Sequence, residues 1–200
     1  MPLGKVAGSK GSWLSSVAVY TTGGALASAS VGMLLAGLGA AVAVGRLGTS
    51  TALAALSVIA GIAIAREAGL EGIYLLQPHR QTNPVWGKLL PDWIAAALWG
   101  LDVGLVFTTW FTFSGVWLLI MAAFMSASPA FAIGLLVAYW AGRAAPVWAL
   151  PWALEHPNRT ANLLGSLYDS HKTFQYLHVT AIALALVGMV AGAWPVAELP

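Results

Sequence analysis

The chain of 200 residues contains no cysteine. Disulfides, thiolate metal sites and dithiol relays within the chain are therefore excluded. Charge is almost as scarce: Asp, Glu, Lys and Arg together make up 8% of the residues, against about 25% in soluble domains. Motifs of enzyme chemistry are missing too. There is no Gly-rich nucleotide loop, no zinc spacing and no Ser/His/Asp pattern, so an enzyme is the weakest class. Nine Lys and Arg against seven Asp and Glu leave a formal net charge of +2. These basic residues are scattered, which suits loop charges that set membrane topology and argues against a nucleic-acid partner.

What the chain has instead is long apolar runs. Hydrophobic residues reach 59% and mean hydropathy is +0.80, which places nearly the whole chain in a lipid bilayer. The expected fold class is all-α: a polytopic integral membrane helix bundle of about five spans, in a single transmembrane domain over 1–200. The spans are placed at about 13–44, 51–76, 93–125, 130–147 and 174–194. Lys5 and Lys10 ahead of Ala25-Leu26-Ala27 have the form of a signal peptide, but the apolar run continues to Val44 and reads as an uncleaved span.

The run from Trp93 to Met125 is the organiser, since it carries no ionised side chain after Asp102 and exceeds a hydrocarbon core of roughly 30 Å. It is bulky, with Trp99, Phe107, Trp110, Phe111, Phe113 and Trp117. The first run is smooth by contrast. Gly24, Ser28, Gly32, Ala36 and Ala40 recur every fourth residue, a stripe that lets another helix approach closely. That run is interrupted chemically by Gly23-Gly24, where the helix either bends or breaks, and a break would make six spans.

Five spans put Lys5, Lys10, Arg66, Arg80, Lys88, Arg143, Arg159 and Lys172 on one side and only Arg46 on the other. The positive-inside rule then makes the N-terminus cytoplasmic and the C-terminus external in a multi-pass cell-membrane protein.

Four groups of residues can carry function. Val19-Tyr20-Thr21-Thr22 is echoed by Val106-Phe107-Thr108-Thr109, two polar steps that bond their own helix or line a site between two repeat halves. Asp102, inside a span, is a functional hypothesis by default; a pair with Arg143 and an ion or proton site are equal readings. Tyr168, His171, Gln175 and His178 form one helical stripe. There, His171 and His178 could hold a metal or haem edge, or serve simply as interfacial polar residues. His79 and Arg80, with His156 and Arg159, lie in two cytoplasmic loops of similar composition that suit acidic partners.

Thr21-Thr22-Gly23 and Phe107-Thr108-Thr109-Trp110 resemble the two leading helices of the CcdA/DsbD transmembrane family. That resemblance implies a scaffold of two repeats whose leading helices each carry a Pro-Cys motif that passes reducing equivalents across the membrane. Here Gly23 and Trp110 fall at the cysteine positions and Thr22 and Thr109 at the prolines. The thiol relay does not carry over. The family also has six spans in an inverted arrangement, whereas five spans would set the two halves parallel.

The leading expectation is a small transporter or carrier of an ion or small solute, with Thr21, Thr22, Thr108, Thr109 and Asp102 facing a central polar site. The alternative is a non-catalytic accessory or anchor subunit, whose smooth stripe and loops bind other membrane subunits or a second copy. A redox subunit resting on His171 and His178 is the third. The cofactor is unknown, and the surrounding partner in each case is the lipid bilayer.

Overall fold

A computed structural model describes residues 10–70, 80–109, 113–153, 170–188 and 191. Among them all regular secondary structure is helical. Helix α1 spans Lys10–Ala41, a short 3-10 turn Val44–Leu47, and α2 Gly48–Glu67. The single turn α3 (Trp86–Leu89) precedes α4 (Asp92–Gly104), α5 (Val116–Ser126), α6 (Pro129–Ala153) and α7 (His171–Gly188). Three of these are long and apolar enough to cross a membrane: Gly11–Ala41, Ser50–Glu67 and Pro129–Trp148. Large apolar side chains such as Leu26, Met33, Val58, Leu177 and Leu184 lie exposed along the helices. A soluble helix hides that stripe, whereas lipid accepts it. The protein is an all-helical membrane protein.

The helix boundaries follow from backbone chemistry. In lipid every N–H and C=O must be satisfied internally, which drives a long apolar run to stay helical. Helix α1 accordingly runs 32 residues without interruption, straight through Gly23-Gly24. Helix α2 stops at Glu67, short of the expected Leu76, because Gly69 takes the left-handed conformation at φ 88°. The Leu70 N–H then reaches back to the Ala65 carbonyl and the Gly69 N–H to that of Arg66, a Schellman stop. Helix α6 starts on Pro129, whose missing N–H costs nothing in the first turn, and continues through Pro146 to Ala153, beyond the expected end near 147. Helix α7 begins at His171 and is described to Gly188; the rest of the expected last span lies outside the described residues.

The largest departure is in the run from Trp93 to Met125. It is two helices, not one: α4 ends at Gly104 and α5 starts at Val116, and residues 105–109 and 113–115 between them are not helical.

The chain forms two compact units that alternate along the sequence. The first comprises Met1–Ser28, Pro78–Trp110 and Val137–His171. Within it the N-terminal part of α1 packs backbone against backbone on α4. A Cβ on Gly100 would stand 2.2 Å from the Tyr20 carbonyl oxygen, and one on Gly104 would stand 2.4 Å from that of Gly24. Trp140 fills the remaining space: it lies against Gly24, donates its indole N–H to the Thr21 carbonyl at 2.8 Å and packs its ring on Tyr20 at 5.0 Å.

The second unit comprises Ala29–Gln77, Phe111–Leu136 and Lys172–Pro200. Its core joins Leu56, Ala60 and Ala63 of α2, Leu118 and Ala122 of α5 and Ile182 of α7. Ala36 is buried against Ala123 and Ala132, and Gly32 abuts the Ala132 backbone. Four of the five stripe residues thus pack as expected, but Ala40 is exposed. At about 100° per residue a strict four-residue repeat has drifted about 160° by that point. Gly39 takes the place instead, its Cβ position 2.0 Å from the Phe124 carbonyl oxygen.

Candidate functional site

The end of α4, in the first unit, concentrates polar chemistry in apolar surroundings. A helix terminus leaves its last four carbonyls unpaired, and two of these are met by hydroxyls. Ser28, fully buried on α1, donates to the Gly104 carbonyl at 2.9 Å, and Thr108 folds back to donate to the Asp102 carbonyl. The chain turns between them through Val106, buried at φ 65°. A β-branched residue in the left-handed region is strained by about 1–3 kcal/mol, and such strain persists only where the surroundings enforce it.

Asp102 stands on the last turn with its side chain 8% exposed, and its Oδ2 lies 3.2 Å from Nη2 of Arg80, itself 56% exposed. Pairing with Arg143 is not what forms. Arg143 turns to the ring and hydroxyl of Tyr139, one turn earlier on its own helix, so Asp102 draws its cation from the segment before α3. That segment is anchored by Asn83, whose carbonyl accepts the indole N–H of Trp99 at 3.0 Å. Thr109 is buried, and its hydroxyl has no hydrogen-bond partner among the described residues.

Thr21 and Thr22 behave differently from Thr108 and Thr109 despite the matching sequence. They lie in unbroken helix and donate to the Val17 and Ala18 carbonyls at 2.8 and 2.9 Å. Thr21 also accepts the indole N–H of Trp148 at 3.0 Å. Thr21 and Thr22 are thus held within their helix, while Thr108 and Thr109 lie in non-helical chain.

A second polar cluster, in the second unit, holds the start of α5. The Glu67 carboxylate accepts both the Ser114 N–H at 2.8 Å and the Ser114 hydroxyl at 2.7 Å. His178 accepts the Gly115 N–H on Nε2 at 3.2 Å and stacks on Phe113 at 4.6 Å. An Nε2 that accepts belongs to a neutral ring protonated on Nδ1. Gln175 donates to the Glu67 backbone carbonyl. Glu67 and His178 therefore cap α5 from α2 and α7, supplying acceptors where a helix start presents unpaired N–H groups. The Ser114-Gly115 pair ahead of an apolar run is the signal that the sequence offers for a helix start there.

Of the remaining candidates, the side chain of His171 and all of His79, His156, Arg159, Tyr168 and Trp110 lie outside what is described. Among the described residues no group of three or more His, Cys, Asp or Glu is placed to hold a metal ion.

Comparison with known proteins adds one relative. The methylamine utilization protein MauF of Paracoccus versutus is 30% identical over 148 residues. The alignment covers 73% of this chain and 53% of that protein. The chain thus spans about half the length of the curated relative it matches. No protein-family profile matches the chain. No solved structure matches it either.

Proposed function

We propose that this protein is a small integral membrane carrier of an ion or small solute, with its polar site at the end of α4. The observation that carries the reading is a helix that stops within an apolar run and leaves there a buried carboxylate, Asp102, and a buried hydroxyl, Thr109, without a partner among the described residues. Discontinuous helices with freed backbone groups are how many transporters build sites at membrane depth. Asp102 and Thr109 are the solute-facing groups in this reading, while the hydroxyls of Thr21, Thr22 and Thr108 are taken up by backbone carbonyls. The charge distribution favours a cytoplasmic N-terminus and an external C-terminus. The likeness to the CcdA/DsbD family enters only as a likeness of scaffold.

The test is flux in proteoliposomes. Asp102→Asn, nearly isosteric, is expected to abolish transport while the purified protein keeps its helicity and oligomeric state. Undiminished flux would remove the site from the reading.

The accessory-subunit reading stands beside it, since the relative is named for methylamine utilization and not for transport of a solute. In that reading the chain is a membrane component serving amine metabolism. Native mass spectrometry from the source membrane separates the two, because fixed-stoichiometry partner chains are expected only of a subunit. The redox reading would require absorbance from a bound group at His171 and His178, and His178 Nε2 already accepts a backbone N–H.

A further inference from the structure

The Asp102–Arg80 pair is unequal. The carboxylate is nearly buried on a rigid helix end, while the guanidinium is more than half exposed on a non-helical segment. Their 3.2 Å separation is longer than the roughly 2.7–2.9 Å of a well-formed charge-assisted hydrogen bond. Nor does Arg80 hold the geometry around Asp102. Thr108 fixes the Asp102 carbonyl, Ser28 fixes that of Gly104, and Gly100 is seated on the Tyr20 backbone. The carboxylate is built in and its cation is loosely supplied.

We infer that Arg80 is an internal competitor. Its guanidinium occupies a cation site on Asp102 that a small organic cation bearing N–H donors, an alkylammonium or a guanidinium, enters by displacing it. This deepens, and rests on, the carrier reading of the α4 end. A buried carboxylate tolerates only brief exposure without a counter-charge, so a tethered cation that leaves as the ligand arrives keeps the site neutral throughout. The ligand must carry positive charge, since a neutral solute would strand Asp102 and an anion would be repelled by it. The contact to be replaced is itself an N–H of Arg80 donated to Asp102 Oδ2, so a ligand bearing N–H donors can remake it. Arg80 itself moves aside on its non-helical segment, with more than half of its side chain already exposed.

An ordinary structural ion pair and an internal competitor predict opposite signs for one substitution. The experiment is equilibrium binding of radiolabelled guanidinium to full-length protein in nanodiscs, with ionic strength held constant by sodium. Asp102→Asn is expected to weaken binding at least about tenfold, the scale of a lost charge-assisted contact. Arg80→Gln is expected to tighten it about two- to fivefold, the scale of a partly exposed pair. Binding seen in Arg80→Gln but not in the wild type supports the same conclusion. Unchanged or weaker binding in Arg80→Gln, equal binding in Asp102→Asn, or no binding in any variant overturns it. Proteoliposome flux of a neutral or anionic solute that still depends on Asp102 would leave the carrier reading standing while the cation inference fell.

Discussion

The contact between α1 and α4 makes Gly104 an exacting position in the first unit, and Gly104→Ala tests it. The added Cβ would sit 2.4 Å from the Gly24 carbonyl oxygen and 2.6 Å from the Gly24 Cα, both backbone atoms with no rotamer to change. Restoring an ordinary contact of about 3.5 Å moves the two backbones apart by about 1 Å. That displacement stretches the 2.9 Å bond from Ser28 to the Gly104 carbonyl beyond hydrogen-bond range. Overpacking costs about 1–3 kcal/mol and a buried hydrogen bond about 1 kcal/mol, so the expected loss is about 2–4 kcal/mol. The assay is reversible unfolding in mixed micelles, with Gly61→Ala and Gly134→Ala as controls. Nothing lies within 4 Å of a Cβ at either control position, and both should gain up to about 1 kcal/mol from helix propensity. If Gly104→Ala matched the controls in stability, the close approach of α1 to α4 would be refuted.

Three further outcomes follow from the hydrogen-bond geometry. Glu67→Ala leaves the Ser114 N–H and hydroxyl without their carboxylate and should cost about 2–3 kcal/mol; hydrogen exchange at the Ser114 amide should accelerate, while unaltered protection there would show that Glu67 does not hold the start of α5. Trp140→Phe removes the indole bond to the Thr21 carbonyl and leaves a void where the second ring of this fully buried side chain stood, and a loss of about 2–4 kcal/mol is expected in the same unfolding assay. Thr109→Val replaces a hydroxyl that has no partner among the described residues with an isosteric methyl, so stability should hold or rise slightly. Solute flux should nevertheless fall, and a drop in stability of more than about 1 kcal/mol would mean that the hydroxyl has a structural partner after all.

Much of the fold is legible in composition and hydropathy, because lipid leaves an apolar run little choice but helix. The same pressure hid the irregularities. Gly23-Gly24 looks like a breaking point and is not one: its glycines serve close packing, with Ala97 and Trp140 against them. The real break begins in Leu105-Val106-Phe107, residues that hydropathy alone reads as span interior. Gly104 before it and Ser114-Gly115 after it were the local stop and start signals, outweighed by the unbroken hydrophobicity around them. At the site, the peculiarity of Asp102 could be read from its type and position. Its partner could not, since the choice of Arg80 over Arg143 depends on where a loop of the first unit folds back. The role of Glu67 was invisible for a similar reason: the groups it accepts from are far along the chain.

The division of residues 92–126 into two short helices bears on how the protein is made. Helices of 13 and 11 residues rise only about 20 and 17 Å, too little for either to cross a bilayer alone. During synthesis neither half can settle on its own hydrophobicity with its inner end bare. The groups that satisfy those ends arrive at different times. Ser28 and Glu67 are already in the membrane when α4 and α5 emerge, whereas His178 follows more than fifty residues after α5. The order of synthesis therefore makes Ser28 available before the end of α4 that it bonds, and Glu67 before the start of α5, while the His178 contact to Gly115 can form only once α7 is made.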